Sequence, residues 1–313
     1  MNQILHKILS RTGQPDLLDI LAEKLTPSEL NTLLLEVMAH QVAKQKPADL
    51  LRRYQQNIMG QPSGVDVLDF KKLELLLLQT AVDQAFEPLE LSPVSPLGAC
   101  STVATVHQHK VLSALRQMEV VADATNALAL ESSMRRKAAG FPKETLHLCT
   151  SHRHLRTQQF KGRGFTPHFQ IFCLTSAGRD AGTGQFESEN LLRHLEFYIG
   201  FLKAYPAEPP FFLRLIPVQD ADEKVVRQLM AAIEKKYPEL HIVSAPDVQY
   251  GDGGQYYRLL RFQLVLQWQG NELPVIDGGF TDWTQQLSSN KKERFLSSGL
   301  GLEFFWKIFS DRL

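Results

Sequence analysis

The chain of 313 residues is 43% hydrophobic and 22% charged, enough apolar content for one large domain or two modest ones. Lys plus Arg and Asp plus Glu balance at 34 each, which excludes the global basic field that drives non-specific nucleic-acid binding. No apolar run reaches bilayer length, the first residues lack a secretory pattern, and the three cysteines (Cys100, Cys149, Cys173) show no paired spacing, so a cytoplasmic protein with no membrane partner is expected.

Residues 1 to about 80 read as a helical N-terminal extension, in which Ile4, Ile8, Leu17, Leu18, Leu21 and Leu25 recur at helical spacing as an expected buried stripe. Thr26-Pro27-Ser28-Glu29 has the form of a capping box and predicts a helix from 27 to about 44. Turn formers at Gly60-Gln61-Pro62-Ser63-Gly64 break the pattern, and a leucine-rich helix from 70 to about 86 closes the segment. Such an extension serves either packing and dimerisation or the docking of a protein partner. Beyond it, in a second unit over 81–313, strands are predicted at 118–122, 146–150, 169–175, 211–217, 261–267 and 273–276, and helices at 188–205 and 223–236. A helix is also expected from about 127, with Asp123-Ala124-Thr125-Asn126 either capping it or holding a polar ligand. Short connections favour an α+β fold with a largely antiparallel sheet flanked by helices.

The first group of residues able to do chemistry surrounds Arg156. An arginine near a strand end, a basic loop Lys161-Gly162-Arg163-Gly164 and Phe169 on the returning strand form a nucleotide clamp, with guanidinium on phosphate and ring on base. This order resembles motif 2 of class II aminoacyl-tRNA synthetases. The resemblance implies that Arg156 binds phosphate and Phe169 stacks on adenine, with Gln158 where a glutamate is usual and Arg163 and Gln170 matching elements of the histidyl branch. Leu174 stands where that branch places a glutamate, which removes the carboxylate that would offset desolvation of a bound ammonium group.

A second group joins Tyr256 and Tyr257 to Asp277, Gly278, Gly279 and Asp282. By itself Asp277-Gly278-Gly279 reads as a strand ending in a tight turn. Order and distance are similar to the substrate-pocket elements of histidyl synthetases, with Asp282 matching an aspartate and Phe280 replacing an arginine. The run 297–305 resembles motif 3: Glu303 is kept, but Phe304 occupies the position of the ATP-binding arginine. A charge-assisted contact of that kind is worth about 1.5–3 kcal/mol. The segment 86–94 resembles motif 1, implying a homodimer, and Glu131 falls near a segment that faces the amino-acid substrate. Cys149, His152 and His154 do not make a metal site, because strand geometry turns the cysteine to the face opposite the histidines.

The resemblance as a whole covers 86–313 and implies a class II synthetase-like paralogue with ATP and Mg2+ as its cofactors. Charging needs anchors for ATP, the amino acid and tRNA, and each of the three is altered. The chain ends shortly after the motif 3 resemblance, without the C-terminal anticodon-binding domain of histidyl synthetases, so tRNA is not an expected partner. The expected function is binding of a nucleotide or small metabolite without tRNA charging. Two other readings stay open: a regulatory subunit like that of ATP phosphoribosyltransferase, and an adenylating enzyme that transfers an acyl group to an acceptor other than tRNA.

Overall fold

The computed structural model describes residues 3–104, 106–157, 166–219, 221–245 and 256–310. Four N-terminal helices come first: α1 (Gln3–Thr12), α2 (Leu17–Asp19, running into a π-turn at Ile20–Lys24), α3 (Pro27–Val42) and α4 (Pro47–Gln56). The capping box forms as read, with Thr26 N–H donating to Glu29 Oε2 at 2.8 Å and Glu29 N–H donating to Thr26 Oγ1 at 3.3 Å. The expected buried stripe does not form. None of these helices buries a residue, and Ile4 and Leu18 are 67% and 49% exposed. The reason is local: Gly13, at φ +66°, and Pro15 end α1, so the two halves of the stripe lie on separate helices.

Helix α5 (Val67–Asp83) behaves differently. Phe70, Leu73, Leu77 and Ala81, spaced at three and four residues, enter the main core, so α5 packs with the sheet although its sequence groups it with the extension. There follow β1 (Glu87–Pro88), β2 (Val94–Pro96), α6 (Ala99–Val103), β3 (Ser113–Ala114), β4 (Met118–Val120) and α7 (Ala124–Ala138). The central hairpin is β5 (Leu146–Leu155) and β6 (His168–Arg179), and α8 (Gln185–Ala204), β7 (Phe211–Pro217), α9 (Glu223–Lys236) and β8 (Ile242–Ser244) come next. The chain closes with β9 (Leu260–Trp268), β10 (Asn271–Thr281), α10 (Trp283–Ser288), β11 (Glu293–Leu300) and α11 (Leu302–Phe309).

Eight strands form one sheet in the order β1-β5-β6-β11-β10-β9-β7-β8, antiparallel except for the parallel end pairs β1/β5 and β7/β8. A small sheet, β2-β4-β3, stands apart. Strand alternation gives the large sheet two distinct faces. Phe172, Leu174, Leu296, Leu300, Phe262 and Ile276 meet α5, α8 and α11 in the main core. Residues at the alternate strand positions point the other way: Ala177 and Phe295 pack with α7 and α10 through Ala129 and Trp283, and Leu148 and Cys173 pack under Leu128. A fully buried pair, Arg136 Nε to Glu293 Oε2 at 2.6 Å, fastens α7 to β11, and the same guanidinium donates to the carbonyls of Glu144 and Pro142.

One expected turn proves to be strand. Asp277, Gly278 and Gly279 lie inside β10 and pair on one side with Gly299, Ser298 and Ser297 and on the other with Gln263, Phe262 and Arg261. The glycines are needed for close packing rather than for a turn. A Cβ on Gly278 would stand 2.5 Å from Ser298 Cβ and 2.8 Å from the Phe262 ring.

Candidate functional site

The site-bearing face of the sheet is the one under α7. Asp123 caps that helix: its Oδ1 accepts from Thr125 N–H at 3.0 Å and from Thr125 Oγ1 at 2.7 Å, and its Oδ2 accepts from the Tyr256 hydroxyl at 2.8 Å. Burial works to raise the Asp123 carboxyl, but the nearby Arg156 guanidinium, His154 and the Thr125 and Tyr256 hydrogen bonds together hold it below the usual carboxylate range. Asp123 is therefore an anion at neutral pH. His154, 1% exposed, accepts the Ala124 N–H at its Nε2 (3.0 Å), which fixes it as the neutral Nδ1–H tautomer. Burial pushes its pKa down to about 3.

Arg156 follows β5 directly. Its Nε donates to Ala122 O at 3.0 Å and its guanidinium carbon lies 5.4 Å from the centre of the Phe169 ring. Phe169 pairs with His154 across the hairpin and meets it edge to face at 5.8 Å. The expected pair Arg156 and Phe169 is thus brought together, beside Asp123.

Tyr256 and Tyr257 join this group, in edge contact with each other at 4.8 Å, with Tyr256 also edge-on to Trp283 at 5.1 Å. The Tyr257 hydroxyl donates to Asp277 Oδ1 at 3.2 Å; Arg261 Nε donates to the same oxygen at 2.9 Å, and Gln263 Nε2 donates to Oδ2 at 3.1 Å. The Tyr257 ring lies on Gly279, where any Cβ would collide with it. Asp123, Arg156, Phe169, Tyr256, Tyr257, Asp277 and Gly279 accordingly line one continuous surface.

Other residues singled out from the sequence lie elsewhere. Gln170 follows Phe169 in β6 and so points to the opposite face, where its Nε2 donates to Glu74 Oε1 and Ser151 Oγ, each at 3.1 Å. Gly278 is turned the same way. Glu303, 1% exposed, also sits on that opposite side: it pairs with Arg153 at 2.8 Å and Lys307 at 2.9 Å and accepts from Ser63 at 2.8 Å. Glu131 is the eighth residue of α7 and is held by Arg135 (2.6 Å), which also binds Glu87 on β1. Asp282 lies at the edge, bound by Arg258 Nε at 2.8 Å and Gln286 Nε2 at 2.7 Å. Gln158 and Arg163 fall outside the described residues. Sequence reasoning underweighted Asp123, whose position before a helix signals a cap, and did not place Arg261 and Gln263 on the Asp277 carboxylate, although both lie on an alternating strand ending near Tyr257.

Chemically, the cluster sets a cation at Arg156 and an anion at Asp123 beside the rings of Phe169, Tyr256 and Tyr257. The second carboxylate, Asp277, is neutralised by Arg261.

Among solved structures the chain is similar to apo histidyl-tRNA synthetase of S. aureus, with 13% identity, TM-score 0.60, and coverage of 80% of this chain and 69% of that one. It is similar to an ATP phosphoribosyltransferase regulatory subunit/histidyl-tRNA synthetase from Bacillus halodurans, with 13% identity, TM-score 0.55 and coverage of 79% and 81%. It is also similar to a histidine–tRNA ligase subunit from Alicyclobacillus acidocaldarius, with 11% identity, TM-score 0.59 and coverage of 80% and 96%. No protein-family model and no curated protein matches the sequence. The likeness establishes the class II synthetase-like core fold, in agreement with the antiparallel sheet and flanking helices expected from the sequence.

Proposed function

We propose that this chain is a synthetase-fold protein that does not charge tRNA and that binds a small polar metabolite, or the phosphate of a nucleotide, between Arg156 and Asp123. The observation carrying this reading is a cation, Arg156, near enough to the anion Asp123 at the N-terminus of α7 to hold it charged, while the neighbouring carboxylates Asp277 and Asp282 are already matched by arginines. Arg258 and Arg261, two cations that could stand in for the missing motif arginines, are committed to Asp282 and Asp277. Phe280 is 5% exposed in the core, and Glu303 is held on the other side of the sheet. ATP with Mg2+ fits this reading only as a weak ligand, through Arg156 and Phe169.

The test is pyrophosphate exchange with ATP, Mg2+ and each of the twenty amino acids, alongside calorimetric titration with ATP. Exchange at background and ATP affinity in the millimolar range are expected. Robust exchange with any amino acid refutes the non-charging reading, and exchange with another class of carboxylic acid favours the adenylating alternative.

A regulatory role is favoured by a different observation, the four N-terminal helices that bury nothing. Leu50, Leu51, Tyr54 and Ile58 are 60%, 57%, 46% and 62% exposed along α4 and just beyond it, a surface suited to a protein partner. Co-purification of a catalytic protein that is lost on deletion of residues 1–60 tests it. The homodimer belongs to the same proposal: α5 turns Leu68, Leu75 and Leu76 outward beside the motif 1-like strand, at 77%, 54% and 49% exposure. Sedimentation of the purified chain decides it. Three buried free thiols accord with a cytoplasmic setting, and no helix among the described residues is long and apolar enough to cross a membrane.

A further inference from the structure

The two faces of the β5–β6 hairpin hold different groups, and the second face binds the N-terminal extension. His154 and Phe169 point to the site face, whereas Arg153 and His168, one residue away on each strand, belong to the opposite face. There His168 meets the segment that joins α4 to α5. Its Nε2 lies 2.7 Å from Gln61 O and its Nδ1 lies 3.0 Å from Arg153 Nη1. A carbonyl only accepts and a guanidinium only donates, so both directions are fixed. Nε2–H donates to Gln61 O, Nδ1 accepts from Arg153, and His168 is the neutral Nε2–H tautomer.

Gln61 is bound at its other end as well. Its side-chain amide donates to the carbonyls of Tyr54 and Gln55, at 2.9 and 3.1 Å, in the last turn of α4, where helical partners run out. One residue thus joins the end of an exposed helix to the first residue of β6. Two residues on, Ser63 donates to Glu303 of α11 at 2.8 Å, off the hairpin, and α5 is anchored in the main core. Displacement of α4 therefore falls on Gln61.

The hairpin end that Gln61 grips also positions the cation of the site. Arg156 N–H donates at 2.9 Å to the carbonyl of Pro167, directly before His168. Phe169, directly after it, lies 5.4 Å from the Arg156 guanidinium and 5.8 Å from the His154 ring. Helix α3 has a separate tie, Arg116 N–H donating to Asn31 Oδ1 at 2.8 Å. Arg116 stands in the turn between β3 and β4, which carries none of the site residues described above.

We propose that Gln61 and His168 form a latch through which the N-terminal helices regulate the Arg156 site. A protein that engages α4 then alters ligand affinity at that site, and the ligand reciprocally alters the hold on α4. The regulation rests on the reading of Arg156 and Asp123 as a ligand site; the latch does not.

The test reads both ends of the latch in the full chain without ligand. Hydrogen exchange of the Arg156 amide reports the hairpin, and limited trypsin cleavage at Arg52 and Arg53 reports α4. Loss of one hydrogen bond is expected to speed each by roughly two- to tenfold. His168→Ala should therefore speed cleavage in α4. Gln61→Ala, which removes only side-chain bonds to α4, should speed exchange at Arg156. His168→Gln, whose amide can donate to Gln61 O and accept from Arg153, should restore the wild-type rates. Asn31→Ala should leave Arg156 exchange unchanged. The coupling is overturned if His168→Ala leaves α4 cleavage as it was, if Gln61→Ala leaves Arg156 exchange as it was, or if Asn31→Ala moves that exchange equally. Should His168→Ala fail to fold, Gln61→Ala decides alone. Calorimetric titration with ATP on the wild-type chain and Gln61→Ala then tests the regulation, with weaker binding expected in the variant. Equal binding refutes the regulation. A wild-type chain that binds no ATP refutes the nucleotide reading and the regulation of it, while the ligand-free rates still decide the coupling.

Discussion

The ring of Tyr257 rests directly on Gly279: a Cβ on the glycine would stand 2.6 Å from the tyrosine Cδ1 and 2.8 Å from the carbonyl oxygen of Leu260. That contact positions the hydroxyl that reaches Asp277. On the other face, Gly278 leaves room for the Phe262 ring and Ser298 Cβ. Substituting either glycine by alanine forces side chains or strands apart, at a cost of about 1–3 kcal/mol. Gly278→Ala is expected to act on stability alone, since its neighbours are buried core, whereas Gly279→Ala should also disturb the Tyr257–Asp277 contact. Denaturant unfolding checks this, and an unchanged midpoint in Gly278→Ala contradicts the packing described.

Glu303 gives a sharper test of what the motif 3-like segment has become. Burial works to raise its pKa, but Lys307, Ser63 and Arg153 outweigh that and hold the carboxyl charged. Lys307 is itself 9% exposed, so Glu303→Ala takes the carboxylate from a buried ammonium group. Breaking a buried pair from one side costs about 3–5 kcal/mol. The expected outcome is a large loss of stability in urea unfolding, with ligand binding at the Arg156 site of the remaining folded protein unchanged. A stable variant with impaired ligand binding would return Glu303 to the nucleotide-binding role that the motif suggests.

Three imidazoles with lowered pKa values predict how the protein responds to acid. The folded pKa of His154 is about 3 and that of His147 about 4, and that of His194 is well below normal, against an ordinary value of 6.5. Between the folded and unfolded values the unfolded chain binds more protons than the folded one, so stability is full above about pH 6.5 and falls as pH drops below it. His154 and His194 are almost fully buried, and each removes up to about 1.4 kcal/mol per pH unit in that window. His147 is half-buried and adds less. Unfolding midpoints measured from pH 7.5 to 4.5 should fall steeply, and His154→Gln should flatten the curve. A flat wild-type profile is incompatible with neutral buried histidines.

How much of this could be read in the sequence depends on whether the signal was local. The bounds of β7 and α9 agree with the sequence reading residue for residue, because a short, nearly continuous apolar run between prolines marks the strand and Asp222 caps the helix. Asp123 was recognised as a cap for the same reason. One error comes from contacts made between distant segments. Gly278 and Gly279 look like turn chemistry, and only the rings of Phe262 and Tyr257, brought in by another strand, explain glycine inside β10. Glu131 was placed in the pocket by position, but an arginine one helical turn further on holds it. Gln170 was a missed opportunity, since consecutive strand residues point to opposite faces and Phe169 and Gln170 cannot share a pocket wall.

The charge on Asp123 is the property on which the proposed ligand site depends most directly. Arg156 is its strongest stabilising neighbour, and the Tyr256 hydroxyl contributes a hydrogen bond at 2.8 Å. Carbon NMR titration of the Asp123 carboxyl should find it below the ordinary aspartate range in the wild-type chain. Tyr256→Phe should raise the value, and Arg156→Ala should raise it further, because a nearby full charge acts more strongly here than one hydrogen bond. The Tyr256–Asp123 hydrogen bond is made without any ligand, so Tyr256→Phe should change ligand binding much less than Arg156→Ala does. An Asp123 that titrates normally, or that Arg156→Ala leaves unmoved, would show that the two groups do not act as a pair, and the site would then lose the opposite charges that select its ligand.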